Sequence, residues 1–170
     1  MSPGAWSPRA LLREHAVLGV LFAVGAALRI TTSLSYRPAM QLVQDSFSYL
    51  ADADDPVPNV IRPNGYSFFL RLLQQTGRLA VVPAAQHAMG LSIALLVYVL
   101  LRRLGARPWL AALGAAPILL DATQIYLEQF IMSETFFETL LAGSVGLSSG
   151  RGAPVPRRPE RPGSSSAPRR

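Results

Sequence analysis

Leu79–Leu101 is a run of 23 residues without a formal charge, closed by Arg78 before it and Arg102 after it. About 20 apolar residues span the hydrocarbon core of a bilayer as a helix. Inside that core every backbone N–H and C=O must find a partner within the protein, so a spanning segment of this kind can only be helical. The run therefore predicts a transmembrane helix over 79–101, and it fixes the class of molecule to which the rest of the chain must conform.

Composition agrees. Half of the 170 residues are hydrophobic and 15% are charged, against about 25% charged in soluble domains. There is no cysteine, which removes disulfides and thiolate chemistry. All basic residues are arginine. Six of the 16 fall in residues 151–170 beside Glu160 alone, whereas residues 1–150 hold ten arginines against nine acids. The high net charge thus belongs to the tail. Its arginines sit among Pro, Gly and Ser with no aromatic after Phe137, so a nucleic-acid surface is not expected.

Three further spans are predicted around the first. Ala16–Leu34 is apolar apart from Arg29 and a few hydroxyls, follows Arg9 and Arg13, and has no small-x-small cleavage site. It reads as an uncleaved first span over 16–34, with Arg29 near its far end as an interface anchor that snorkels to the headgroups. Residues 108–127 form another apolar segment, with Pro117 as the expected kink and Asp121 near the end. Residues 130–147 form a last one, carrying Glu134 and Glu138 at helical spacing. Between the first two spans, residues 35–78 make a polar outer loop. Met40–Ala51 has helical spacing, and Asp45 and Tyr49 share a face. Asp54-Asp55-Pro56-Val57-Pro58 ends that helix. Arg62-Pro63-Asn64-Gly65 is a turn signal, and Tyr66–Leu73 begins another helix. The fold class expected is all-α: a polytopic membrane helical bundle of about four transmembrane helices over residues 1–147, with a helical outer loop. Residues 148–170 form a disordered Arg/Pro-rich tail, whose abrupt change of composition reads as a frameshifted or truncated reading frame.

With four spans, Arg9 and Arg13, the turn Arg102–Arg107 and the tail share one side, which the positive-inside rule makes cytoplasmic. Asp45, Asp121, Glu128 and Glu134 then gather at the outer face. Carboxylates flanked by apolar residues at a common membrane level point to a shared pocket. Asp52, Asp54 and Asp55 read as loop solvation, and His87 as a polar helix residue. For Asp45 and Glu134 a functional role and a solvating one balance on the residues alone.

Asp45-Ser46-Phe47-Ser48-Tyr49, Arg62-Pro63-Asn64-Gly65-Tyr66, Gln86, the turn Arg102-Arg103-Leu104-Gly105 and Glu128-Gln129-Phe130-Ile131-Met132-Ser133-Glu134 occur in that order. The series resembles the polytopic GT-C-type glycosyltransferases of bacterial membranes, of the mannosyl- and arabinosyl-transferase-like kind, over about residues 10–147. Asn64 stands where the family usually has proline, and the chain resembles an N-terminal portion of such a protein. The resemblance implies transfer of a sugar from a polyprenyl-phosphate carrier to an acceptor at the outer face of the plasma membrane, with the N-terminus cytoplasmic. It implies Asp45 as catalytic base and Arg62 on the carrier phosphate. Glu128 and Glu134 fall on sugar hydroxyls or on a divalent cation, which Asp45 and Glu134 could hold. Tyr49 and Tyr66 fall against the sugar. Membrane lipid and the polyprenyl-phosphate sugar are the implied partners. The other reading open at this point is a non-catalytic four-helix membrane protein, a partner or transporter subunit, in which Gly90, Gly114 and Gly143 serve helix packing.

Overall fold

The structure is a computed structural model and describes residues 13–41, 44–55 and 64–150. Among these the chain is all-helical, apart from one isolated parallel bridge between Met40 and Phe130. Helix α1 is Ala16–Ser35, α2 Asp45–Asp54, α3 Gly65–Gln74, α4 Val81–Arg103, α5 Pro108–Leu120, α6 Ala122–Gln129 and α7 Glu134–Gly150. Two of them, α1 and α4, are long and apolar enough to cross a membrane, and α5 with α6 makes a third if the bent pair is one span. These helices point to a membrane protein.

Local chemistry sets the boundaries. Helix α4 tolerates Pro83 because its missing donor falls in the first turn. Its end is a Schellman motif. Gly105, at φ +88, donates to Arg102 O, and Ala106 donates to Leu101 O, so the last carbonyls of the helix are satisfied and the chain reverses. Pro108 then opens α5 at the position where a proline costs nothing. The bend in the third apolar segment is not at Pro117 but four residues on. Asp121 leaves helical geometry, and its carboxylate accepts from Thr123 N and Gln124 N, capping α6. The two helices meet there at 47°. Capping of a new helix by Asp121 is what ends the old one.

The helix expected to start at Met40 starts at Asp45 instead. Met40 is diverted by tertiary pairing: its N–H donates to Gln129 O at 3.1 Å and its carbonyl accepts from Ile131 N at 3.2 Å. Residues 130–133 are likewise non-helical, and Phe130 and Ile131 are buried. The two short extended pieces satisfy each other's backbone groups.

Helix α4 is the centre, packed by α5, α6, α7 and α1, while α2 and α3 pack on each other at one end. His15 meets the Tyr98 hydroxyl, and Arg102 bonds Glu14 at 2.7 Å. The start of α1 therefore lies beside the end of α4, and this end of the bundle also carries Arg13, Arg103 and Arg107. A core of Ala94, Tyr98, Ala111, Ala112, Ala115 and Leu119 fills that half. Gly25 lets α1 approach α5 so closely that an added Cβ would stand 2.8 Å from Leu119 O. At the opposite end Ala53, Tyr66, Leu70, Val82 and Ile131 form a second core beneath α2 and α3.

Candidate functional site

Between the two cores lies a buried polar cluster that joins α1, α4, α5 and α6. Its centre is Glu128, fully buried in the last turn of α6. Arg29 reaches it from α1 with two parallel bonds, Nε to Oε2 at 2.7 Å and Nη2 to Oε1 at 2.8 Å. The remaining three N–H groups of the guanidinium go to the carbonyls of Gly25, Leu119 and Ile118. All five donors of Arg29 are thereby used, and the residue is 2% exposed. This corrects the reading of Arg29 as an interface anchor. A guanidinium shut away from water needs an anion and acceptors, and Glu128 with three backbone carbonyls, two of them at the end of α5, supplies both. The bent α5–α6 junction frees two of those carbonyls.

His87 also belongs to this cluster. Its Nδ1 lies 2.8 Å from Glu128 Oε2 and its Nε2 3.0 Å from Gln129 Oε1. Gln129 Nε2 donates to Tyr36 O at the end of α1. Gln124 Nε2 bonds both Glu128 Oε1 and Glu138 Oε2, at 3.2 and 3.0 Å. Gly90 makes room for the carboxylate, since a Cβ there would sit 1.9 Å from Glu128 Oε1.

A second chain of bonds runs from this cluster to the α2–α3 end. Gln86 Nε2 donates to Glu128 O at 2.9 Å and Phe130 O at 2.6 Å, and its Oε1 accepts from the Tyr66 hydroxyl at 2.6 Å. The Tyr66 ring makes an edge contact with Tyr49 at 5.0 Å. The Tyr49 hydroxyl pairs with Ser133 Oγ at 2.9 Å, and Ser46 Oγ donates to Ile131 O at 2.9 Å. Burial pushes the Tyr66 hydroxyl well above the ordinary tyrosine range, helped by the charge of Glu134 and by Tyr49. Tyr66 is thus held as the neutral hydrogen-bond donor that Gln86 requires.

No family model, no characterised protein and no solved structure matches this chain.

Of the residues expected at a site, Asp45 is half-buried as the first residue of α2, where its charge complements the helix dipole. Glu134 is exposed as the first residue of α7. The two flank the same pair of tethers, Asp45 beside Ser46 and Glu134 beside Ser133. Tyr49 is half-buried and Tyr66 buried. With Ser133, Phe136, Phe137 and Leu140 they line a cleft of about 230 Å³. Glu128 is separate from that cleft, with both oxygens engaged by Arg29, His87 and Gln124. Arg62 lies outside the described residues. Asp52 has one carboxylate oxygen buried without a hydrogen-bond partner among the described residues, which simple loop solvation does not explain. Also among the described residues, no three His, Cys, Asp or Glu side chains converge as a metal ion would need.

Proposed function

We propose that this chain is a membrane glycosyltransferase module resembling the GT-C type. It would act at the outer face of the plasma membrane on a polyprenyl-phosphate sugar and a hydroxyl acceptor. The observation that supports this reading is convergence. The segments that carry the resemblance (Asp45–Tyr49, Gly65–Tyr66, Gln86 and Glu128–Glu134) are linked to one another by the Tyr49–Ser133, Tyr49–Tyr66, Tyr66–Gln86 and Gln86–Glu128 contacts. The arginines at the opposite end fit a cytoplasmic face by the positive-inside rule. That orientation goes with four spans: α1, α4, the bent α5–α6 pair and α7.

In the proposed reaction the acceptor oxygen bonds to the anomeric carbon of the sugar while the bond from that carbon to the carrier phosphate breaks. Asp45 takes the acceptor proton, and polyprenyl phosphate leaves. A carboxylate in hydrogen-bond reach of the hydroxyl contributes about 10²–10⁴-fold to such a step. Arg62 is assigned to the carrier phosphate, which a guanidinium binds bidentately. Tyr49, at the cleft, and Glu134, next in sequence to the cleft residue Ser133, are assigned to the sugar, and Tyr66 to shaping the cleft from below. Glu128, engaged on both oxygens, is assigned to holding the α6–α7 turn in place of a sugar contact.

The test is transfer of labelled sugar from a polyprenyl-phosphate donor by the chain in proteoliposomes. Asp45→Asn is expected to lower turnover by about 10²-fold or more with the protein still folded. A second reading, a non-catalytic partner subunit, is favoured by the apolar outer faces of α1 (Val20, Ile30) and α7 (Phe137, Leu140), which are more than half exposed and fit neighbouring helices as well as lipid. Absence of transfer by the chain would support that reading and defeat the catalytic one, whereas unchanged transfer with Asp45→Asn would remove Asp45 as the base.

A further inference from the structure

His87 lies between two groups that only accept. On one side Glu128 presents a carboxylate oxygen that is already the partner of Arg29. On the other side Gln129 presents Oε1. That orientation of the amide is fixed by chemistry: its nitrogen end faces the backbone carbonyl of Tyr36 at 2.8 Å, and a carbonyl can only accept. A neutral imidazole has one N–H and one lone pair, so it leaves one of these contacts as two lone pairs face to face. The imidazolium, with a hydrogen on each nitrogen, satisfies both.

Charge balance leads to the same form. Arg29 and Glu128 are joined to Glu138 through the two hydrogens of Gln124 Nε2. These are the charged groups facing His87 or linked to it from the elements around it. From α1 there is Arg29, from α6 Glu128, and from α7, at one remove, Glu138. Helix α5 contributes only the carbonyls of Ile118 and Leu119, which bind Arg29. Helix α3 contributes the Tyr66 hydroxyl, through Gln86. Arg29 and Glu128 offset each other, and the half-buried Glu138 adds a second anion, so a charged His87 makes two against two. Uncompensated buried charge is costly.

We infer that His87 is held as the imidazolium and that its second proton is a positioning element for the connection that leads to Asp45. The Nε2 proton orients Gln129. The side chain of Gln129 then holds Tyr36, and its backbone carbonyl holds Met40 N. Both residues lie in the connection that leads from α1 toward α2, which begins at Asp45. Loss of the proton sets a lone pair against Gln129 Oε1, so the amide turns and its bond to Tyr36 is lost. The assignment of the proton stands on the hydrogen bonds alone. Its link to Asp45 chemistry rests on the reading under Proposed function.

The chain has two histidines, so His15→Gln leaves His87 as the only imidazole. In nitrogen-15 spectra of that protein in micelles at about pH 7, near the ordinary imidazole midpoint, both ring nitrogens are expected to carry hydrogen. One protonated and one bare nitrogen would overturn the inference, whatever the protein catalyses. The positioning role has its own readout. His87→Gln is expected to raise hydrogen exchange at the Met40 and Ile131 amides by about tenfold or more, while amides in the middle of α4 hold their protection. Equal exchange at Met40 in both proteins would overturn that role. If the protein transfers sugar, His87→Gln is expected to lower kcat with KM little changed, and an unchanged kcat would count against the role. Absence of transfer in every variant would defeat the proposed function and leave the imidazolium result standing.

Discussion

Glycine 90 shows how little space the central cluster leaves. Alanine there puts its Cβ 1.9 Å from Glu128 Oε1 and 3.1 Å from Arg29 Nη2, so the carboxylate must leave the guanidinium. Separating a buried ion pair costs about 3–5 kcal/mol. Gly90→Ala is therefore expected to lower unfolding stability in detergent by about 3 kcal/mol or more. Gly143, whose Cβ would meet nothing within 4 Å, supplies the control: Gly143→Ala is expected to be neutral or to stabilise by up to about 1 kcal/mol through helix propensity. Tyr66 gives a pH-dependent expectation. Its hydroxyl is pushed up by burial first and by Glu134 second, so the folded state keeps a proton that the unfolded chain releases near about pH 10. The stabilisation is complete below that pH and is lost as pH rises above it, since the unfolded state then binds fewer protons. Alkaline denaturation followed by circular dichroism should accordingly be shallower in Tyr66→Phe. That variant should also lose about 1–3 kcal/mol at neutral pH, because Gln86 Oε1 is left buried without its donor. None of these residues announces its role in the sequence. Arg29 and Glu128 are 99 positions apart and His87 is 41 from Glu128, and each alone reads as an anchor, a loop acid or a polar helix residue. A polar side chain in each of several apolar runs was the available signal, and it becomes specific only when the runs are packed.

At the scale of elements, the apolar runs and the breakers between them were legible, because helix ends depend on neighbours in sequence. Gly105, Pro108 and Asp121 act within one turn of themselves. The position of the bend was not. Pro117 is the conspicuous residue, but a proline inside a helix forfeits one bond, whereas Asp121 offers a cap with two. Asp121→Ala is expected to cost about 1 kcal/mol and to straighten the junction. Straightening withdraws the carbonyls of Ile118 and Leu119 from Arg29, so the loss should exceed that of an ordinary cap, as measured by thermal unfolding against a cap variant elsewhere. The late start of α2 was also illegible. The helical spacing from Met40 is real, and pairing of Met40 with Gln129 and Ile131 overrides it.

For the whole molecule, the two-ended arrangement has a direct test. The chain has no cysteine, so single cysteines can be introduced without background. Arg103→Cys, at the arginine end, and Thr123→Cys, at the end of the bundle that carries α6, are both at exposed positions. A membrane-impermeant maleimide is expected to label them from opposite faces of sealed vesicles. Labelling from the same face would sink the proposed topology. The sequence alone determined that this chain is helical, with runs long and apolar enough to cross a membrane, an arginine-rich end and an acidic loop. Those properties follow from length, hydropathy and local stop signals, which need no partner to act. Only the tertiary structure decided that Arg29, His87 and Glu128 form one buried cluster. It also separated Glu128 from the cleft lined by Tyr49, Tyr66 and Ser133, and brought the extended pieces at Met40 and Phe130–Ser133 together. The reason is that a buried charge or an open backbone group is costly by itself, so its place is set by whichever distant group satisfies it.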